Sequence, residues 1–315
     1  MITSADLQGV MAMMPAFATD DAGDIRSTAT VSIPRLEAGL NRMIEDGVNV
    51  VATTGSFGEC HTLSLEEFET LAKASVEVAR GRVPMFIGVT SLSTREVVRK
   101  MQIVEKTGAA GVLVGVPFYF PASADTAVRF FNDIAEMFPS LGIMIYHNPP
   151  LHNITLKLPI MEQILKIPNV VAMKDSHRNP IEFMRLMEMT RGKMSVFVNQ
   201  LQYRVYGLLG ASGMWSIDAW MGPWPQFALR DAMKRGDLEE ATALTLAMAG
   251  TSQGEVSMTW RESGAKVAIR YAGYVDPGPT RPPFADVPAE VDAAMRRRAE
   301  RWQELCARIR VPAAT

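Results

Sequence analysis

The amino-acid sequence predicts an α/β fold, a (β/α)8 TIM barrel followed by a C-terminal helical extension. Three observations carry that prediction. Eight short runs are apolar on both faces, as strands are when helices cover both sides of a parallel sheet. Helical patterns with a single apolar stripe fall between them. After about residue 222 the strand runs stop and helical patterns take over. An open doubly wound sheet would share the first two features. Against it, no GxGxxG follows the first run, and eight units fill a barrel.

The runs, in order, are GVMAMMPAF (9–17), GVNVVATTG (47–55), VPMFIGVT (83–90), AGVLVGVPF (110–118), LGIMIYHNP (141–149), NVVAMKDS (169–176), MSVFVNQ (194–200) and GASGMWSI (210–217). In the first helical pattern Leu36, Leu40, Met43 and Ile44 make one stripe, stopped by Gly47. Ser64 with Glu67, and Ser93 with Glu96, read as capping boxes that open the next two helices. Pro159 suits a first helical turn, and Asn179-Pro180 opens another helix. Residues 225–275 read as helices, and PGPTRPPF (277–284) as an extended segment. A last helix aligns Met295, Ala299, Trp302, Cys306 and Ile309, with Arg296-Arg297-Arg298 expected on its solvated face. The expected division is a barrel over residues 1–222, carrying the active site, and a helical extension over 223–315.

The bulk properties exclude several functions. A net charge of −2 leaves no electrostatic footprint for nucleic acid or an anionic membrane. The only cysteines, Cys60 and Cys306, support neither a disulfide framework nor a Cys-based zinc site, and fit a reducing compartment. His61, His147, His152 and His177 show no HxxxH or HxH spacing. The N-terminal MITSADLQGVM lacks the basic and apolar regions of a signal peptide, and no run reaches the ~20 residues that span a bilayer. A cytoplasmic location is expected.

Barrel chemistry gathers at the C-terminal strand tips. Strand 6 ends in Lys174-Asp175-Ser176, a lysine after an apolar run. Such a lysine could pair with Asp175 or snorkel to solvent. Alternatively, desolvation in an apolar mouth lowers its pKa, leaving it partly neutral and able to attack a ketone as a Schiff-base nucleophile. Strand 5 ends in Tyr146-His147-Asn148-Pro149-Pro150. Beside a Schiff-base lysine, Tyr146 becomes a proton shuttle, because carbinolamine and aldol steps need a placed acid/base. Pro149 holds Asn148 extended, where it either shapes the turn or aims its amide at a substrate oxygen. Gly55-Ser56-Phe57-Gly58, at the tip of strand 2, reads either as a tight turn or as a small nest of N–H groups for a carboxylate. Tyr119 follows strand 4 and Trp215 lies on strand 8. Phe57, Phe118, Trp215, Trp220 and Trp224 are expected to gather near the mouth, although tryptophans in such rows also serve core and interface.

Together, G-S-F-G-E (55–59), L-S-L-E-E (63–67), P-F-Y (117–119), Y-H-N-P-P (146–150) and M-K-D-S (173–176) resemble the pyruvate-dependent class I aldolases that include dihydrodipicolinate synthase and N-acetylneuraminate lyase. The resemblance runs from the first strand to about Pro283. It implies an imine between Lys174 and pyruvate or another 2-keto acid, Tyr146 as acid/base, and a carboxylate held at Gly55, Ser56 and Phe57. It also implies no cofactor beyond the covalent lysine imine, no metal, and a homotetramer. In some relatives the residue matching Tyr119 serves a neighbouring subunit's site.

The departures bear on substrate. Dihydrodipicolinate synthases typically have Thr-Thr where this chain has Ser56-Phe57, and an Arg where it has Leu151, so lysine biosynthesis is not expected. G-x-x-G-x-W (210–215) and G-P-W-P (222–225) resemble the hydratase-aldolase branch, whose members cleave benzylidenepyruvates to pyruvate and an aromatic aldehyde in aromatic-compound catabolism. Trp215 and Phe57 would then face the aryl ring, and Asn148 would help position water. Two rivals remain at this stage: a 2-keto-3-deoxy sugar-acid aldolase or dehydratase using the same imine, and a silent 2-keto-acid binder.

Overall fold

A computed structural model of the chain describes residues 2–175, 178–252 and 257–310. Eight parallel strands close on themselves in sequence order: β1 (Gly9–Met13), β2 (Val50–Thr53), β3 (Met85–Gly88), β4 (Gly111–Val114), β5 (Gly142–Tyr146), β6 (Val170–Lys174), β7 (Ser195–Asn199) and β8 (Gly213–Ser216). The pairing of β1 with β8, Met11 beside Trp215, is what an open sheet lacks. Each strand is shorter than its apolar run, and the surplus residues form the loops at the strand ends. Ser176 and His177 lie outside the described residues.

The helices are α1 (Ile33–Glu45), α2 (Leu65–Ala79), α3 (Thr94–Glu105), α4 (Ala124–Met137), α5 (Pro149–His152), α6 (Leu158–Ile164), α7 (Pro180–Thr190), α8 (Tyr203–Tyr206), α9 (Trp224–Arg235), α10 (Leu238–Thr251), α11 (Arg261–Ala272) and α12 (Ala289–Arg310). Their starts follow the sequence signals. Ser64 Oγ accepts from Glu67 N (3.2 Å) and Glu67 accepts from Ser64 N (3.0 Å), a complete capping box that satisfies two terminal donors. Ser93 caps α3 through Glu96 N (3.3 Å), without a return bond among the described residues. Asn179 caps α7 through Glu182 N (3.0 Å).

One irregularity positions the site. Between β5 and β6 the register runs Ile143 to Val170, then Met144 to Ala172, so Val171 is an extra residue in β6. From there Ile145 pairs with Met173 and Tyr146 with Lys174. Paired residues of parallel strands point to the same side, so the tip tyrosine and lysine share one face. An unbroken register would have set Tyr146 beside Met173.

The C-terminal helices pack closely onto the barrel. Met295, Ala299, Trp302 and Cys306 are buried on one stripe of α12, as the spacing requires, with Ile309 partly buried. Trp302 Nε1 donates to the Gly222 carbonyl (3.0 Å). Arg298 departs from the expected solvated face: it is half-buried and donates to Asp218 Oδ2 at 2.7 Å, tying α12 to the segment after β8. Helical periodicity placed that residue at the edge of the stripe, and only the tertiary contact gives it a partner.

A second tie lies above β1 and β2. Lys266 of α11 is buried and pairs with Glu59, while also donating to the carbonyls of Ala16 (3.3 Å) and Pro279 (2.6 Å). Arg281, buried in the Pro-rich segment, reaches Glu59 Oε2 (3.2 Å), Thr30 Oγ1 (2.7 Å) and the Ala16 carbonyl (2.9 Å). Glu67, besides capping α2, accepts from Thr30 N (2.8 Å). The extended segment is therefore pinned through side chains to the loops after β1 and β2.

Candidate active site

Lys174 is 4 % exposed at the C-terminal tip of β6. Its Nζ lies 3.8 Å from the centre of the Trp215 ring and 4.3 Å from that of Tyr146. Among the described residues no carboxylate comes within ion-pair distance of it. Burial pushes its pKa down to about 7, with Glu262 and Asp175 opposing that shift through their charges. The aromatic faces offset some of the lost hydration of an ammonium without fixing it in charged form.

Asp175, the partner a structural lysine would take, is otherwise engaged. Its Oδ1 meets His147 Nδ1 at 2.8 Å and its Oδ2 accepts from Arg178 Nε at 2.6 Å. His147 Nε2 accepts from Leu156 N (3.2 Å), which leaves Nδ1 as the donor to Asp175. Arg178 also donates to the Leu156 carbonyl (2.6 Å), and Tyr206 donates to the Arg178 carbonyl (2.6 Å). This buried network locks the loops after β5 and β6, and so fixes the strand end that carries Lys174.

Tyr146, at the tip of β5, is also buried. Its hydroxyl lies 2.9 Å from Ser56 Oγ and accepts from Asn148 Nδ2 at 3.2 Å. Burial pushes its pKa up to about 12, against the lowering effect of these two bonds. The phenol is therefore protonated and linked to a hydroxyl that can relay a proton. His152 packs edge-on against the Tyr146 ring (4.9 Å between centres). Desolvation lowers its pKa to about 4, so the imidazole is neutral. Gly115 makes room for it: a Cβ there would sit 2.2 Å from the His152 ring.

The stretch Gly55-Ser56-Phe57-Gly58 is a tight turn, with Cys60 N donating to the Gly55 carbonyl (3.2 Å) and Glu59 N to that of Ser56 (3.1 Å). The N–H groups of Ser56 and Phe57 have no acceptor among the described residues, so the turn also leaves donors for an anion. Gly55 lies beneath the phenol, its Cβ position 3.9 Å from Tyr146 Cε1. Phe57 is buried in the main core. Trp215 is half-buried, and its Nε1 donates to the Asp175 carbonyl (3.3 Å).

Lys174, Tyr146, Asn148, Gly55, Ser56 and Trp215 thus come together. Tyr119 does not join them: it is 71 % exposed and packs edge-on against Phe120. Trp220 is fully buried edge-on to Phe17, and Trp224 packs on Tyr274, so both serve the core rather than the group around Lys174. Two nearby groups carried no readable role in the sequence. His152 lies beneath Tyr146, a contact that Gly115 alone could have hinted at. Glu262, from the first turn of α11, interacts electrostatically with Lys174 and Tyr146, and nothing in its local sequence signals that. Cys60 is a poor nucleophile, since burial raises its thiol pKa to about 11. Among the described residues no cluster of three His, Cys, Asp or Glu could hold a metal.

A closed parallel barrel with a desolvated lysine at its sixth strand tip is the frame of a lyase of the aldolase kind. Residues 13–301 match the dihydrodipicolinate synthetase family, and the chain belongs to that family. It is 32 % identical to the trans-o-hydroxybenzylidenepyruvate hydratase-aldolase of Pseudomonas aeruginosa, over 98 % of this chain and 95 % of that protein. It is 24 % identical to the trans-2'-carboxybenzalpyruvate hydratase-aldolase of Nocardioides sp. (strain KP7), over 91 % and 90 % of the two chains. Among solved structures, PhdJ bound to a substrate intermediate superposes with a TM-score of 0.91 and 27 % identity, over 98 % of this chain and 99 % of that one.

Proposed function

We propose that the protein is a Schiff-base hydratase-aldolase that converts a benzylidenepyruvate and water into an aromatic aldehyde and pyruvate, in aromatic-compound catabolism. The observation that carries this is Lys174: a buried amine between two aromatic rings, without an ion-pair partner among the described residues and with its pKa near 7. The full-length likeness to enzymes named hydratase-aldolases supports the reaction type.

The chemistry follows from the placement. The Lys174 amine attacks the C2 ketone, and loss of water gives an iminium conjugated with the C3=C4 alkene. The iminium draws electrons, so water adds at C4, the carbon bearing the ring, and a proton reaches C3. Removal of the C4 hydroxyl proton then breaks the C3–C4 bond. The aldehyde leaves, and its bonding electrons stay on Lys174 as an enamine. Protonation at C3 and hydrolysis release pyruvate and the free amine. Tyr146, bridged to Ser56 and steadied by Asn148, supplies and takes up these protons. The free N–H groups of Ser56 and Phe57, with Gly55 beneath, hold the pyruvyl carboxylate. Trp215, half-buried beside the Lys174 amine, offers flat apolar surface to the ring, with Phe57 proposed to back it from the core. No cofactor or metal enters, because the imine itself is the electron sink.

The proposal extends to a cytoplasmic homotetramer. The family resemblance supports the assembly, as does the exposed Tyr119–Phe120 pair at the barrel face, and light scattering on the purified protein tests it. No helix among the described residues is long and apolar enough to cross a membrane.

The reaction is tested by mixing the protein with trans-o-hydroxybenzylidenepyruvate and following loss of the enone absorbance. The expected outcome is rapid loss with equimolar pyruvate and salicylaldehyde. Borohydride trapping with pyruvate should add one pyruvyl mass at Lys174. An absent adduct would remove the imine mechanism.

A further inference from the structure

Glu262 is the one acid of the C-terminal helices that couples to the reacting groups. Lys266, one turn further along α11, drives its ammonium into Glu59 and the carbonyls of Ala16 and Pro279, at the loops after β1 and β2. Residues four apart share a helix face, so Glu262 projects toward the same side, over the barrel mouth. Three groups on different elements sense its charge: Lys174 on β6, Tyr146 on β5, and Cys60 after β2. Those three bracket the mouth. Although Glu262 as a whole is half-buried, its Oε2 is sealed from solvent and has no hydrogen-bond partner among the described residues. Desolvation raises its pKa, against the pull of Lys174 and Arg261.

A carboxylate oxygen removed from water without a donor is costly, and such a group is kept where a ligand completes it. It lies more than an ion-pair distance from Lys174, since no bridge forms between them. A benzylidenepyruvate bound through C2 to Lys174 and through its carboxylate at Ser56-Phe57 extends its ring out of the mouth. We propose that Glu262 reads the ring substituent, accepting a hydrogen bond from a ring hydroxyl and excluding a ring carboxylate by like-charge repulsion. Resting on the hydratase-aldolase reaction above, this gives the substrate class as hydroxylated benzylidenepyruvates.

The test compares wild type, Glu262→Ala and Glu262→Gln on three substrates: trans-o-hydroxybenzylidenepyruvate, unsubstituted trans-benzylidenepyruvate and trans-2'-carboxybenzylidenepyruvate. A hydrogen bond to a charged acceptor corresponds to about 10- to 100-fold in kcat/KM. Glu262→Ala should lose that much on the hydroxylated substrate, change the unsubstituted one by less than about 3-fold, and gain about 10-fold or more on the carboxylated one. The isosteric Glu262→Gln should make the same gain on the carboxylated substrate, and decides the matter if the alanine variant folds poorly. Equal losses on all three would overturn the assignment and point to a role for Glu262 in the chemistry common to them. A wild type inert on all three, with no borohydride adduct, would instead overturn the reaction and this inference together.

Discussion

Of the three lysines buried among the described residues, Lys174 and Lys266 have surroundings that could hardly differ more. Lys266 lies in a polar pocket, paired with Glu59 and capped by two backbone carbonyls, with Arg281 sharing the same carboxylate. Lys174 lies between two aromatic rings, and its neighbouring acid is held by His147 and Arg178. Burial depresses both pKa values, to about 8 for Lys266 and about 7 for Lys174. What separates them is satisfaction. Lys266 has acceptors for its N–H bonds, and it stitches α11 to the barrel. Lys174 has none among the described residues except π faces, so it is held ready to exchange its proton for a carbon. Burial alone does not mark a catalytic lysine; burial with the partner acid diverted does.

The sharpest break of this comparison is to remove each amine. Lys174→Ala should lower turnover of the benzylidenepyruvate by about 10⁴-fold or more and abolish borohydride trapping, because no other group can form the imine. Lys266→Met should still be trapped by pyruvate and borohydride. Its loss should appear in stability: Glu59 keeps Arg281 but loses its closer cation, and breaking a buried pair costs about 3–5 kcal/mol in denaturant unfolding. A Lys266 variant as stable as wild type would mean that Arg281 alone satisfies Glu59. Next in size, Tyr146→Phe should reduce kcat by about 10²- to 10³-fold while leaving the imine trappable at longer times, since the proton shuttle is lost and the nucleophile is kept.

The pH dependence sharpens the comparison with the smallest effect. Imine formation needs the neutral amine, so kcat/KM should level off above about pH 7 and fall about tenfold for each unit below it. The stability sign follows from the same shift. Lys174 titrates near 7 when folded and near ~10.4 when unfolded, so the unfolded chain binds the extra proton between these values. Its contribution is most unfavourable below pH 7 and is relieved as pH rises toward 10. Lys174→Met should remove that slope, and urea midpoints at pH 6.5 and 9 measure it.

Much of this is legible in the sequence. Strands buried on both faces announce themselves by composition, and the Ser64–Glu67 capping box is written in four residues. Lys174, Tyr146, Asn148 and Ser56 were legible because strand tips converge in a barrel, so one topological inference places four side chains together. What stayed hidden came from contacts between distant segments. Glu262 and Lys266 reach the mouth only because α11 lies against the loops after β1 and β2, which no local period encodes. Arg298 sits in a basic triplet, and its partner Asp218 belongs to another element. Trp220 and Trp224 mislead for a related reason. An aromatic residue near a strand tip in sequence can turn to the core or to solvent, and the loop's path decides which.

The extra residue in β6 has a consequence for how such a site can be altered. Val171 touches no substrate in the proposed reaction, yet its exclusion from the pairing sets which side chain meets the phenol of Tyr146. Substituting Val171 would alter packing, and deleting it would straighten the ladder with Lys174 still beside Tyr146; a further residue inserted beside it, which the bulge did not absorb, would change the parity of the strand, offering Met173 to Tyr146 and turning Lys174 toward the helices. The identity of the nucleophile thus depends on a count as well as on a choice of amino acid. Length variation inside a strand, usually regarded as damage, is here a route by which a barrel can lose or acquire its chemistry in one step.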